Sequence, residues 1–127
     1  MVRELNCNED LIVLPSASRT ATTVSGLIDN PFAKGVFIFL NITVASGTGG
    51  LTVSLQAVDP ASGVAMTLTS LPDSPIVAIG AYVLVFYPGA SEGSDSGTGP
   101  VSRTLKFQVN HQDDSVYTYS LGISLVR

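Results

Sequence analysis

The one histidine of the chain, His111, stands two residues before Asp113 and three before Asp114, and serines are plentiful. A hydroxyl nucleophile with a histidine base and an orienting carboxylate would make an acyl-transfer site. Such partners assemble in space, so spacing alone does not exclude them. The G-x-S-x-G letters at Gly89 to Gly93 fall in a predicted loop, and no segment shows the helical periodicity that a strand-to-helix nucleophile elbow needs. A turn histidine bonded to nearby backbone is therefore the expected role of His111. Zinc needs clustered Cys and His, and the chain has Cys7 and His111 far apart. The acidic pairs Asp113-Asp114 and Asp29-Asn30 lack the spacing of a calcium loop and read as solvated turn residues. The remaining acids fall almost entirely in turns, and tryptophan, a common sugar platform, is absent, which disfavours a paired-carboxylate glycosidase. The expectation is no enzyme, with catalytic, cofactor and metal residues all none.

Charge narrows the partners. Ten acidic residues stand against six basic ones, for a net charge of −4, and Arg3, Arg19, Lys34, Arg103, Lys106 and Arg127 are scattered. Nucleic acid and anionic membranes both select clustered positive charge, so neither is expected as a partner. No apolar run approaches the roughly 20 residues that span a bilayer. The acidic stretch MVRELNCNED does not read as a secretory signal, and a lone Cys7 has no partner for an internal disulfide, so synthesis in a reducing cytoplasm is expected. Asn41-Ile42-Thr43 matches a glycosylation acceptor but falls within a predicted strand. Only 13% of residues are charged against about 25% in an average domain, while 45% are hydrophobic. Ser, Thr, Gly and Asn must then cover the surface, which suits faces that meet other protein.

The elements that would position these residues follow from alternation with period two. Val36, Ile38, Leu40, Ile42 and Val44 alternate; Phe37 and Phe39 on the other side predict a strand that starts buried on both faces. Leu51, Val53, Leu55 and Ala57 form the next strand, and Ser46 to Gly50 reads as a hairpin loop between the two. Asp59 to Gly63 (DPASG) reads as a second hairpin. A strand from about Val64 to Leu71 is interrupted by Asp73 to Pro75. Ile79 to Tyr87 reads as a central strand buried on both faces. Leu105, Phe107 and Val109, then Tyr117 to Leu125, close the chain around a polar turn at Asn110 to Ser115. Ser16 to Ser25 reads as an edge strand. The sum is a single all-β domain, an antiparallel β-sandwich or jelly-roll-like fold of seven or eight strands with mostly sequential hairpins. Pro88 to Pro100 (PGASEGSDSGTGP) carries four glycines and no large apolar side chain, the composition of a mobile surface loop or of a segment that orders against a partner.

The amino-terminal stretch divides from the rest. Residues 1–15 read as an arm or an edge strand, and residues 16–127 as the sandwich. The apolar patch Leu11, Ile12, Val13 and Leu14 either pairs with the core or leaves to pack on a neighbour; with Val2, Arg3 and Leu5 it forms the candidate partner-binding set.

The succession SASRTATTVS, KGVFIFLNITV, LQAVDPASG, GAYVLVFYPG and SRTLKFQVNHQDDSVYTYSLG, from about Ser16 to the C-terminus, resembles small proteins encoded among the virion genes of tailed bacteriophages. Proteins of this kind resemble head decoration (cement) proteins. The resemblance implies a β-sandwich on the exterior of the capsid, bound to the major capsid protein, commonly as a homotrimer at local three-fold axes, with no cofactor and no active site. Tail, neck or adsorption proteins of the virion are built from related modules and remain the first alternative. A small carbohydrate-binding module or hydrolase is the second.

Overall fold

A strand with an apolar residue at every second position satisfies its backbone sideways and buries one face, so such strands must assemble into sheets that pack face to face. The computed structural model describes residues 9–127, and these form ten strands with no helix. In chain order they are β1 (Glu9–Arg19), β2 (Thr23–Val24), β3 (Ile28–Asp29), β4 (Gly35–Ala45), β5 (Leu51–Val58), β6 (Ala65–Ile76), β7 (Gly80–Tyr87), β8 (Ser96–Thr98), β9 (Thr104–His111) and β10 (Tyr117–Val126). The front sheet has the order β1-β10-β4-β7-β8, and the back sheet β2-β9-β5-β6, with β3 also paired to β9. Every pairing is antiparallel except β7 with β8. This is a two-sheet, all-β architecture consistent with a β-sandwich.

The core lies between the sheets. Val36, Ile38, Leu40 and Ile42 of β4, and Tyr117, Tyr119, Leu121, Ile123 and Leu125 of β10, meet Leu51, Val53 and Leu55 of β5 and Leu105, Phe107 and Val109 of β9. All of these side chains are buried. The expected alternation therefore places the core strands well.

Several expectations need correction. The strand count is ten rather than seven or eight, because β2, β3 and β8 are two- and three-residue segments too short to show a period. Of the two expected hairpins and the expected polar turn, only DPASG joins neighbouring strands of one sheet, β5 to β6, with the Asp59 carboxylate accepting from the Ala61 N–H and the Ser62 hydroxyl. The Ser46–Gly50 and 112–116 connections instead carry the chain from one sheet to the other. They lie side by side: the Ser46 N–H donates to Val116 O at 3.1 Å and the Gln112 N–H to Gly50 O at 3.1 Å. Their small residues serve this close approach rather than a tight reversal. β6 does not stop at Asp73; it runs on to Ile76, with an irregular register opposite Leu51 and Val53, where Pro72 and Pro75 have no N–H for the ladder. Ser16 to Ser25 is not one strand, since Ser16 to Arg19 belong to β1 in front and Thr23-Val24 to β2 behind. Pro88 to Pro100 contains β8, and Gly97 and Gly99 lie against the Phe86 ring with no room for a Cβ.

Gly50 shows how tight the paired connections are. Its φ is +85°, and a Cβ there would meet Ile76 O at 2.8 Å. Gly50→Ala is expected to cost about 2 kcal/mol or more, from the left-handed backbone and from overpacking. A lowered urea midpoint with an unchanged m-value would register it.

Candidate functional site: the outer face of the front sheet

β4 and β7, expected to be buried on both faces, each bury only one. Their second set of apolar residues points outward: Phe39 is 44% exposed and Val83 50%, with Phe37 also open to solvent. Register lines these up across the sheet. Ile12, Gly122, Phe39 and Val83 form one row, and Asp10, Ser124, Phe37 and Val85 the next. Ile12, on the open edge strand, is 83% exposed. Because Gly122 and Ser124 are small, β10 forms the floor of a trough between Ile12 on one side and the two phenyl rings on the other, a depression of about 390 Å³. Beyond Phe37 lies a second, wholly apolar depression walled by Val85, Tyr87 and Ala90. Phe37 is the ridge between them.

The opposite face of the molecule is built differently. On the outside of the back sheet the Asn110 amide donates to Thr52 Oγ1 at 3.1 Å and Ser54 Oγ at 2.8 Å, and Ser54 and Ser70 hydroxyls share a bond of 2.7 Å. The Gln108 amide donates to Asn110 Oδ1 at 2.6 Å. These polar groups satisfy one another over the centre of this face, and its exposed apolar residues, such as Val24 beside Gln108, stand singly on the edge strands. An apolar face with small troughs is the kind that another protein surface covers.

The predicted partner-binding residues divide. Leu14 is buried in the core, and Leu11 and Val13 pack half-buried against it. Ile12 alone points out from this patch, because β1 shifts register between Ile12 and Leu14. Val2, Arg3 and Leu5, like Cys7, lie outside the described residues. Phe37, Phe39 and Val83 had been assigned to the interior, since an apolar residue on either face of a strand leaves the same mark in the sequence.

The candidate chemical residues are occupied structurally. The Asp113 carboxylate accepts from the Gly49 N–H at 2.7 Å and the Ser115 N–H at 3.1 Å, and the Tyr117 hydroxyl accepts from the Gly50 N–H at 2.9 Å. This network pins the two sheet-crossing connections, and those backbone bonds hold the Asp113 carboxyl below its ordinary range. His111 Nε2 shares a 2.8 Å hydrogen bond with the Tyr119 hydroxyl, and its ring meets Tyr117 edge-on. The Arg19 guanidinium lies over the Tyr119 ring, 4.7 Å from its centre. Asn30 of the Asp29-Asn30 pair is buried, its amide bonded to Ala33 and Ser102, while Asp29 pairs with Arg103 at the surface. Among the described residues no three His, Cys, Asp or Glu side chains gather as metal ligands would.

Burial lowers the His111 pKa from 6.5; Arg19 adds to this and Asp113 opposes it. The unfolded chain therefore takes up a proton more readily than the folded one. The stability this confers is complete above pH 6.5 and is lost as the pH falls through the folded value. His111→Gln is expected to flatten that decline in urea midpoints measured from pH 7 downward. Both proteins should then lose stability together once Asp59 and Asp113, each lowered from 3.8, begin to protonate.

Comparison with protein-family models, curated proteins and solved structures finds no match for this chain.

Proposed function

We propose that the chain is a jelly-roll structural protein of a tailed-phage virion, a decoration protein that binds the exterior of the assembled head as a homotrimer and stabilises it. The wiring supports this reading. With β2 and β3 counted as one strand and β8 as an addition, the chain crosses between the four-stranded arrays β1-β10-β4-β7 and β2/β3-β9-β5-β6 at every connection but the β5–β6 hairpin. Eight strands connected this way make the double Greek key of jelly rolls, an architecture used in viral capsid and lectin domains.

The observation that carries the role is the contrast between the two outer faces: one with a connected apolar, troughed row, the other polar and hydrogen-bonded over its centre with single apolar residues at its edges. Such a polarity suits a protein that lies flat on a protein lattice. Binding the assembled lattice and not its free subunits strengthens the lattice by mass action. In this reading the major capsid protein covers Ile12, Phe39 and Val83; no nucleic acid, membrane or cofactor takes part, and the protein is made in the host cytoplasm.

Gold-labelled antibody on intact virions of the encoding phage tests the placement. Even label over the head is expected. Label confined to tail or neck would move the protein to the adsorption or neck apparatus, and no label would reject an exterior role. The carbohydrate-binding alternative shares the jelly-roll wiring, and a glycan array with any saturable ligand would favour it.

A further inference from the structure

At one end of the sandwich the two sheets are joined through side chains. His111 closes β9 on the inward side already taken by Leu105, Phe107 and Val109. Its Nε2 shares the 2.8 Å hydrogen bond with the Tyr119 hydroxyl of β10, in the facing sheet. Over this end the chain crosses from β1 to β2 through Thr20, Ala21 and Thr22, all three exposed. The crossing is held lightly. The His111 N–H donates to Thr22 Oγ1 at 3.1 Å, the Thr23 side chain approaches the Tyr119 hydroxyl, and β2 adds only the pairing of Thr23 with Val109 and Val24 with Gln108. Its two ends are held firmly. The Arg19 guanidinium donates to Tyr119 O at 2.7 Å and Pro15 O at 2.6 Å, and Ser25 exchanges two bonds with the Phe107 backbone.

The imidazole within this arrangement has a place for one proton and not for two. Its Nδ1 is buried with no hydrogen-bond partner among the described residues. A neutral ring forgoes one bond there, whereas an imidazolium has two N–H donors and leaves a charged one unmet. The charged groups around it do not offset this. Arg19 of β1, stacked on the Tyr119 ring, brings a second positive charge. The Asp113 carboxylate attracts an imidazolium, but it already accepts from the Gly49 N–H, the Ser115 N–H and the Tyr117 hydroxyl. The other groups packed here are Tyr117 and Tyr119 of β10, Thr22 and Thr23 of the crossing, and Leu51 of β5, none of them charged at neutral or acid pH. The Ser46–Gly50 connection has no ionisable side chain.

We propose that the β1–β2 crossing is an acid-released latch: protonation of His111 turns its ring out to water, and Thr20 to Val24 lift from the end of the sandwich while both sheets stay folded. Only water can accept from the charged Nδ1–H, and the ring's way out displaces Thr22 and Thr23. The opening stops at Arg19 on one side and Ser25 on the other, because the bonds there do not involve the imidazole. Local openings draw on the least stable segments of a fold, and a two-residue edge strand next to an exposed crossing is one. Burial holds the His111 pKa below 6.5, so the latch is closed above pH 6.5 and opens as the pH falls through the closed-form value. It does not depend on the virion role or on the outer face.

Amide hydrogen exchange of the full chain, read by NMR, tests the latch, with each rate taken relative to that amide's intrinsic rate at the same pH. His111 is the one histidine, so its imidazole resonances report its titration directly. The imidazole is expected to titrate below pH 6.5, and opening at the His111 amide to rise by about threefold or more with the same midpoint. The Phe107 amide, held by Ser25, should stay protected through that range. His111→Gln should remove the rise. Arg19→Gln takes away the neighbouring cation and should move titration and opening together to higher pH. Titration without a change in opening at the His111 amide, or joint opening of the His111 and Phe107 amides, would overturn the proposal. So would an acid response that persists in His111→Gln.

Discussion

Phe107→Ala is expected to destabilise the fold by about 3–5 kcal/mol, while Phe37→Ala shifts it by less than about 1 kcal/mol. The two residues are chemically identical and both sit within strands, so the comparison isolates the face. Phe107 is fully buried at the centre of the back sheet. Its backbone is held as well: the N–H donates to Ser25 Oγ at 2.9 Å, and the carbonyl accepts from the Ser25 N–H at 2.8 Å. Truncation leaves a cavity whose walls are held by this backbone, so little collapse relieves it. Since a domain's whole stability is about 5–15 kcal/mol, Phe107→Ala removes a large share. Urea unfolding of both variants measures the difference; equal losses would contradict the assignment of Phe37 to the outside.

Under the proposed decoration role, paired Ile12→Thr and Phe39→Thr substitutions are expected to abolish attachment to phage heads while leaving the fold intact. Threonine keeps a high strand preference at both positions, and the β-branch of Ile12, while removing the apolar projection. Buried anchors at protein interfaces are worth about 2 kcal/mol or more each, or about thirtyfold in affinity, so losing both moves a submicromolar complex out of reach of occupancy. Gly122→Val offers a complementary check from the other direction. A Cβ at Gly122 meets its nearest neighbour, Leu11 O, at an ordinary 3.6 Å, so a larger residue fits the strand and fills the trough. Binding should fall although nothing is removed. Co-sedimentation of variants with heads lacking the protein measures both effects, and unaltered binding would place the contact elsewhere.

The strands of the core were legible because burial of one face writes a period of two: Val36 to Ile42, Leu51 to Leu55, Leu105 to Val109 and Tyr117 to Leu125 are all found where alternation puts them. The Asp59–Gly63 turn was legible because its side-chain bonds are local. Sheet membership was not. Alternation says that a strand has a buried face and nothing about which strand opposes it, so Ser46 to Gly50, made of turn-forming residues, passed for a hairpin while crossing between sheets. The candidate site was hidden for a related reason. Phe37, Phe39 and Val83 carry the same hydrophobicity as core residues, and only the pairing of Gly122 and Ser124 beside them shows that the row lies on a surface. Of the patch Leu11 to Leu14, the register shift that brings Leu14 inward beside Val13, leaving Ile12 alone outside, depends on β10, far away in sequence.

The position of β10 reaches into how the protein is made. It lies between β1 and β4 and carries five of the buried core side chains, yet it is the last described strand to leave the ribosome. Until Tyr117 to Val126 emerge, β1 has no neighbour and β4 lacks one of its two, so the front sheet has no way to assemble during translation. A domain wired this way completes its front sheet only once β10 is available, on the slower millisecond-to-second scale of non-local β topologies. A chain cut short ahead of Tyr117 would therefore have every strand of the back sheet but no β10 to join β1 to β4, leaving the inner face of that sheet without its full cover.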